Sequence, residues 1–175
     1  MDGTKKLVFL AILTSLSVVL GVVDSQISVF LAVIPGAKIG LANITIILAI
    51  LYFRFSDSFT MAFLKSLLIG LILGAVSTFV IGFSGTFLSF IGMYIVIKLS
   101  RNTFSMVGVS VIGGVLHALG QITAVTFFYS SLATLLFVPQ LVFISAVTGV
   151  GTGLITNTVI RYIENAQIFP TNTEE

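Results

Sequence analysis

The chain has no cysteine and few charges: only 8% of its 175 residues are Asp, Glu, Lys or Arg. The absence of cysteine excludes disulfide bonds and thiolate metal sites. The scarcity of charge excludes an ordinary water-soluble domain, in which about a quarter of the residues are charged. The net charge is only +2 and the basic residues are scattered, so they form no patch that would bind nucleic acid.

Apolar residues fill the chain instead: 57% of it is hydrophobic, and the mean hydropathy is +1.20. A chain of this composition uses the lipid bilayer as its solvent, and a spanning helix needs about 20 apolar residues. The long apolar runs do not alternate with period two, which favours helices over a barrel. We predict an all-α integral membrane protein, a single domain (1–175) with six transmembrane helices. The predicted spans are approximately 7–23, 36–53, 58–76, 82–97, 104–128 and 139–163.

The positive charges predict how the bundle is oriented. With six spans both termini lie on one side, and only Lys38 then faces the other side. The basic residues on the side of the termini are Lys5, Lys6, Arg54, Lys98, Arg101 and Arg161. The positive-inside rule therefore places both termini in the cytoplasm. We expect a multi-pass protein of the cell membrane. Lys65 lies inside the third span, where we expect it to snorkel to the cytoplasmic surface rather than face the bundle interior.

Pairs of glycines spaced four residues apart predict where helices pack closely. Such small-residue spacings let two helix backbones approach each other in a membrane. They are also frequent in any glycine-rich membrane protein, so they do not indicate dimerisation. The pairs are Gly36 with Gly40, Gly70 with Gly74, and Gly149 with Gly153.

The segment PGAKIGLAN, residues 35–43, opens the second span at the outer face. A helix N-terminus presents unpaired N–H groups that suit an anion, and Lys38 adds a cation where the helix dipole disfavours one. This indicates an anionic ligand, with Gly36 and Gly40 leaving space beside the Asn43 amide. Alternatively, Lys38 snorkels to the headgroups and Asn43 bonds a neighbouring helix. The preceding stretch, 27–34, is either a lid over an outer pocket or a buried connector.

The fifth span carries the densest group of polar residues. His117 and Gln121 are one helical turn apart on the same face, and together they offer donors and acceptors for a polar head. A structural alternative is a hydrogen-bonded pair between helices. A lone histidine makes a poor metal site, so we predict no metal. Ser84 and Gln140 are weaker candidates for completing the same outer pocket.

Several functional classes are excluded by missing motifs. No G-x-x-x-x-G-K-[ST] phosphate loop is present, so the chain does not hydrolyse ATP itself. Asp24 and Asp57 fall at the predicted span ends, which leaves no intramembrane carboxylate for proton coupling. No paired carboxylates could hold magnesium on a diphosphate. The pattern predicts a binding protein that is not an enzyme and uses no cofactor.

The polar segments also carry a family resemblance. Residues 35–43 resemble the P-G-x-K-x-G-L-A-N signature of the membrane family described as heptaprenyl diphosphate synthase component I, also called the Gx transporter family. Residues 83–93, 110–121 and 148–153 agree with it in the same order along the chain. Ala118 departs from the pattern, since asparagine is expected after the histidine, and this removes a polar group from the site.

The size, helix number and missing ATPase motif are similar to those of substrate-binding S components of energy-coupling-factor (ECF) transporters. This resemblance implies capture of a small, partly apolar, anionic metabolite (a vitamin, isoprenoid or quinone precursor) at the outer face. It also implies partnership with a membrane coupling subunit and two cytoplasmic ATPases, docked through Ala11 and Ser15 on the first helix. The alternative is a non-catalytic membrane accessory of heptaprenyl diphosphate synthase.

Overall fold

The computed structural model describes residues 3–31, 39–99 and 104–166, with side chains from residue 28 to 31 left aside. Across these ranges the chain is helical and contains no strand, which confirms the predicted all-α membrane fold. Five of the helices are long and apolar enough to cross a membrane. The helices are α1 (Gly3–Leu31), α2 (Leu41–Tyr52), α3 (Phe55–Ile72), α4 (Val76–Leu99), α5 (Met106–Tyr129) and α6 (Val138–Asn165), with a 3₁₀ helix at Leu132–Phe137 before α6.

The second helix is shorter than the predicted span 36–53. It has 12 residues, about 18 Å at 1.5 Å per residue, against a hydrocarbon core of about 30 Å. Its start is fixed by Gly40, whose φ of +83° is left-handed and cannot continue a helix in either direction. The predicted helical start at Pro35 or Gly36, like Lys38, lies outside the described residues.

Helix α2 lies at the centre of the bundle. All of its residues from Ala42 to Ile50 are buried, as expected for a helix that is apolar on every side. Its isoleucines pack against the inner faces of α4 and α5 in one core cluster. That cluster contains Ile46, Ile47, Ile50, Ala62, Phe90, Met93 and Val109. Helix α2 is therefore packed on all sides, and Asn43 lies buried in its first turn.

One end of the bundle collects the charged helix ends. The Lys6 Nζ atom lies 2.6 Å from the Asp57 carboxylate, which brings the beginning of α1 to the beginning of α3. Tyr52, the last residue of α2, packs in the same cluster as Ile163 near the end of α6. Arg54 and Arg161 are exposed close to these ends. This grouping agrees with the charge pattern, and the cytoplasmic location of that end stays a prediction.

Glycines bring α6 against α5. A Cβ atom on Gly149 would lie 2.7 Å from the Val111 Cα, and one on Gly153 would lie 2.6 Å from the Val107 Cα. Both distances are too short for any side chain, so the glycine spacing lets the two backbones touch. A buried hydrogen bond of 2.7 Å between the hydroxyls of Ser110 and Thr152 joins the same two helices.

Candidate functional site

A small cavity inside the bundle is lined by ionisable and polar side chains from five helices. We call it the charged cavity; its volume is about 30 Å³, enough for one or two water molecules. Asp24 from α1 and Lys65 from α3 carry its two opposite charges. Its polar lining is completed by Asn43, Ser66, Thr78, Thr86 and His117.

Asp24 ties α1 to the beginning of α2. Its side chain is only 3% exposed. The Ile39 N–H donates to Oδ1 at 2.7 Å, and the Gly40 N–H donates to Oδ2 at 2.9 Å. The carboxylate thus takes the place of an anion beside the helix N-terminus, a favourable position for negative charge. The prediction that Asp24 lies at a span end is wrong, because α1 continues to Leu31 and carries the carboxylate into the bundle.

Lys65 faces the bundle interior. Its side chain is 4% exposed, so the prediction that it snorkels to the surface is wrong. The reason is the helical period of α3, whose buried positions form one stripe that includes residue 65. The members of this stripe are Ser58, Met61, Ala62, Lys65, Ser66, Ile69 and Gly70. Such a buried ionisable residue is a functional candidate by default.

A second cavity adjoins the first and brings together four of the predicted site residues: Gly40, Asn43, His117 and Gln121. We call it the amide cavity; its volume is about 10 Å³, and Ser145 of α6 also lines it. Asn43 and His117 line both cavities. Asn43 is 3% exposed, His117 9% and Gln121 7%. The polar groups therefore lie in two adjoining cavities, which are lined by residues from all six helices.

Gly85 of α4 sets the width of this site. A Cβ atom at Gly85 would lie 2.6 Å from the Gln121 Cγ and 2.8 Å from the His117 carbonyl oxygen. On the facing helix, a Cβ atom at Gly120 would lie 2.6 Å from the Ser84 carbonyl oxygen. Any larger residue at either glycine would push α4 away from α5. The two glycines thus let α4 and α5 pack closely beside His117 and Gln121.

Other predicted residues do not reach the two cavities. The Ser84 hydroxyl donates to the Val80 carbonyl of its own helix at 2.9 Å, and Gln140 is exposed near the beginning of α6. Gly36 and Lys38 lie outside the described residues. Ala11 and Ser15 are both exposed on the outer surface of α1, so they are open to a partner.

The side chains of the site offer hydrogen-bond donors and acceptors and two charged groups. Two amides, an imidazole, hydroxyls and two opposite charges converge there. In the described ranges no three His, Cys, Asp or Glu side chains lie together in a way that could hold a metal ion. Sequence reasoning missed Asp24 and Lys65. The signal that could have found them is the presence of two opposite charges in apolar segments that a helical bundle would otherwise leave uncharged.

The comparisons with known proteins give one positive result. No curated protein and no solved structure matches the chain significantly. A family model does match, and it covers residues 13–159, which include all six helices in whole or in part. The match includes Asp24, Asn43, Lys65, His117 and Gln121, so the site described above lies entirely within it. The chain belongs to the family described as heptaprenyl diphosphate synthase component I.

Proposed function

We propose that the chain is the substrate-binding subunit of an ECF-type importer in a bacterial cell membrane. The observation that carries the proposal is the convergence of Asn43, His117 and Gln121, all buried, on one polar site in an apolar bundle. An ionisable side chain inside a membrane protein, such as His117, is a functional candidate by default. The missing phosphate loop means that energy comes from partner ATPases.

The ligand is a small, partly apolar, anionic metabolite that enters from the outer face. In this proposal the Asn43, His117 and Gln121 side chains bind its polar head. Because Asp24 already accepts the N–H groups of Ile39 and Gly40, the cation of Lys38 holds the anionic group. Anionic vitamins, isoprenoid precursors and quinone precursors are the classes that this proposal allows.

The partners are a membrane coupling subunit and two cytoplasmic ATPases. The proposal is supported by the exposed side of α1, the side turned away from the bundle. There Ala11 and Ser15 lie between large apolar side chains. Small residues spaced four apart allow another helix to approach closely. The neighbouring exposed side chains are Leu7, Val8, Ile12, Leu16 and Val19.

The ligand that the protein carries can be tested directly. Protein purified from its native membranes is extracted with solvent, and the released small molecules are identified by mass spectrometry. We expect Gln121→Leu to weaken binding about tenfold, since a hydrogen bond contributes about 0.5–1.5 kcal/mol and 1.4 kcal/mol is a factor of ten. Gln140→Leu is the matched control, because Gln140 is exposed. Equal retention by both variants would refute the role of Gln121.

A second candidate is a non-catalytic membrane accessory of a prenyl diphosphate synthase, which the family description favours. A catalytic role is disfavoured because Asp24, Asp57 and Glu164, the acidic residues of the described part of the chain, form no cluster for magnesium. An assay for a catalytic role supplies the purified chain with allylic and isopentenyl diphosphates. Elongated prenyl products would show that the chain is an enzyme and would refute both candidates.

A further inference from the structure

A third cavity, larger than the other two, lies between α4, α5, α6 and the 3₁₀ helix. We call it the apolar cavity; its volume is about 170 Å³. Gln121 lines it, and the rest of its wall is almost entirely apolar. The apolar wall residues are Ile81, Ile122, Val125, Phe137 and Leu141.

The apolar cavity and the amide cavity share one wall residue. Gln121 lines both the amide cavity and the apolar cavity. Thr134 is the other polar wall residue, and its hydroxyl is already hydrogen-bonded to the Thr126 hydroxyl at 2.6 Å and the Ser131 carbonyl at 2.7 Å. Among the wall residues, Gln121 therefore binds the polar group of a ligand. The rest of a ligand in the apolar cavity has to be apolar.

The size of the cavity indicates what fits. Engineered apolar cavities of about 150 Å³ bind benzene, so a cavity of about 170 Å³ accommodates a group of that size. The floor is firmly packed, because Ile122 and Leu141 are 6% exposed and form a cluster with Ala118. The shape is therefore set before a ligand arrives, which lowers the entropic cost of binding.

We propose that the apolar cavity holds the apolar end of the same ligand, a compact ring or branched aliphatic group, and that Gln121 binds the adjoining polar head. The inference rests on the proposed substrate-binding role and specifies the ligand as an amphipathic molecule with a head and a short apolar body. A long acyl chain of a membrane lipid is the competing occupant, since it would need no polar head.

The test uses two photoreactive probes in nanodiscs that contain the purified full chain. One is para-trifluoromethyldiazirinyl benzoic acid, which has a ring and an anionic head; the other is para-trifluoromethyldiazirinyl toluene, which has the ring alone. Labelled residues are mapped by peptide mass spectrometry. We expect the acid to label the walls of the apolar cavity, and to do so at least about tenfold more than the toluene at equal membrane concentration.

Cavity-filling variants test whether the acid binds in the apolar cavity. Val125→Phe or Ile81→Phe should lower labelling by the acid about tenfold, because overpacking a formed cavity is unfavourable. Val147→Phe on the exposed face of α6 should leave it unchanged. Two filling variants are used, so that misfolding of one, seen as aggregation on gel filtration, leaves the other as the test.

Two outcomes would overturn the inference. Equal labelling of the cavity by both probes would show that it binds lipid chains without a polar head. Labelling scattered over the exposed faces, and unaffected by both filling variants, would show that the probes only partition into the bilayer. Neither outcome depends on the coupling partners. Failure of the importer proposal is seen separately, as the absence of those partners from a purified complex while cavity labelling persists.

Discussion

The Asp24 carboxylate accepts the Gly40 N–H at 2.9 Å, and this contact joins the C-terminal third of α1 to the residue that immediately precedes α2. Gly40 has the left-handed φ of +83° that ends any helix before it and directs Asn43 into the site. The same carboxylate lines the cavity that contains Lys65 and His117. Helix α2 and the candidate site are therefore positioned by one buried acidic side chain.

We expect Asp24→Asn to destabilise the protein by about 1–3 kcal/mol, because the variant loses the charge and one acceptor of two buried hydrogen bonds. The matched control is Asp57→Asn, which breaks a partly exposed pair with Lys6 and should cost about 0–1 kcal/mol. Unfolding in mixed detergent micelles, followed by circular dichroism, measures both. Equal losses in the two variants would contradict the anchoring role of Asp24.

We expect Gly85→Ala to reduce both stability and ligand retention. Its Cβ atom would meet Gln121 at 2.6 Å, and overpacking of this kind costs about 1–3 kcal/mol. Gly151→Ala on α6, where nothing lies within 4 Å of the added atom, is the control and should be nearly neutral. Thermal aggregation of the purified variants gives the first readout, and the amount of co-purified ligand gives the second. A Gly85→Ala protein that matches the control in both would show that α4 can move without disturbing the site.

A double-mutant cycle on Ser110→Ala and Thr152→Val tests the polar contact between α5 and α6. The hydroxyls are 2.7 Å apart and buried, and cycles on such pairs in membrane proteins give about 0.6 kcal/mol. We expect a coupling energy near that value, measured from the unfolding of the four proteins. A value of zero would mean that the glycine contacts alone hold the two helices together.

The absence of cysteine permits a clean test of orientation, since each introduced thiol is then the sole one in the chain. Ser56→Cys at the beginning of α3 and Ala133→Cys in the 3₁₀ helix are both exposed and lie at opposite ends of the bundle. We expect an impermeant maleimide to label residue 133 in intact cells, and residue 56 after permeabilisation alone. The reverse pattern would place the termini outside.

Much of this architecture follows from the sequence, because apolar runs in a membrane define helices by length alone. The same uniformity hides helix rotation and helix ends, and errors of prediction arise from both. Lys65 was expected at the surface, yet it belongs to the buried stripe of α3. Asp24 was expected at a span end, yet α1 continues past it. By contrast, Asn43, His117 and Gln121 stood out because polar groups in apolar spans are rare.

The buried carboxylate also changes one argument made from the sequence. The expectation that the membrane interior lacks an acidic residue counted against proton coupling, but Asp24 is buried beside Lys65, Asn43 and His117 in one cavity. Its two backbone hydrogen bonds give it a structural role in the state described. The importer proposal therefore rests on the buried polar site of Asn43, His117 and Gln121, and no longer on the absence of a carboxylate.

The most direct test of the central claim is affinity purification of the tagged chain from its native membranes in mild detergent, with every co-purifying protein identified. We expect a membrane coupling subunit and two ATPases to co-purify with the chain. Ser15→Trp, which blocks the exposed side of α1, should abolish their recovery, and Leu154→Trp on the exposed face of α6 should leave it unchanged. Recovery of a soluble prenyl synthase subunit in place of these partners would contradict the central claim and establish the accessory role instead.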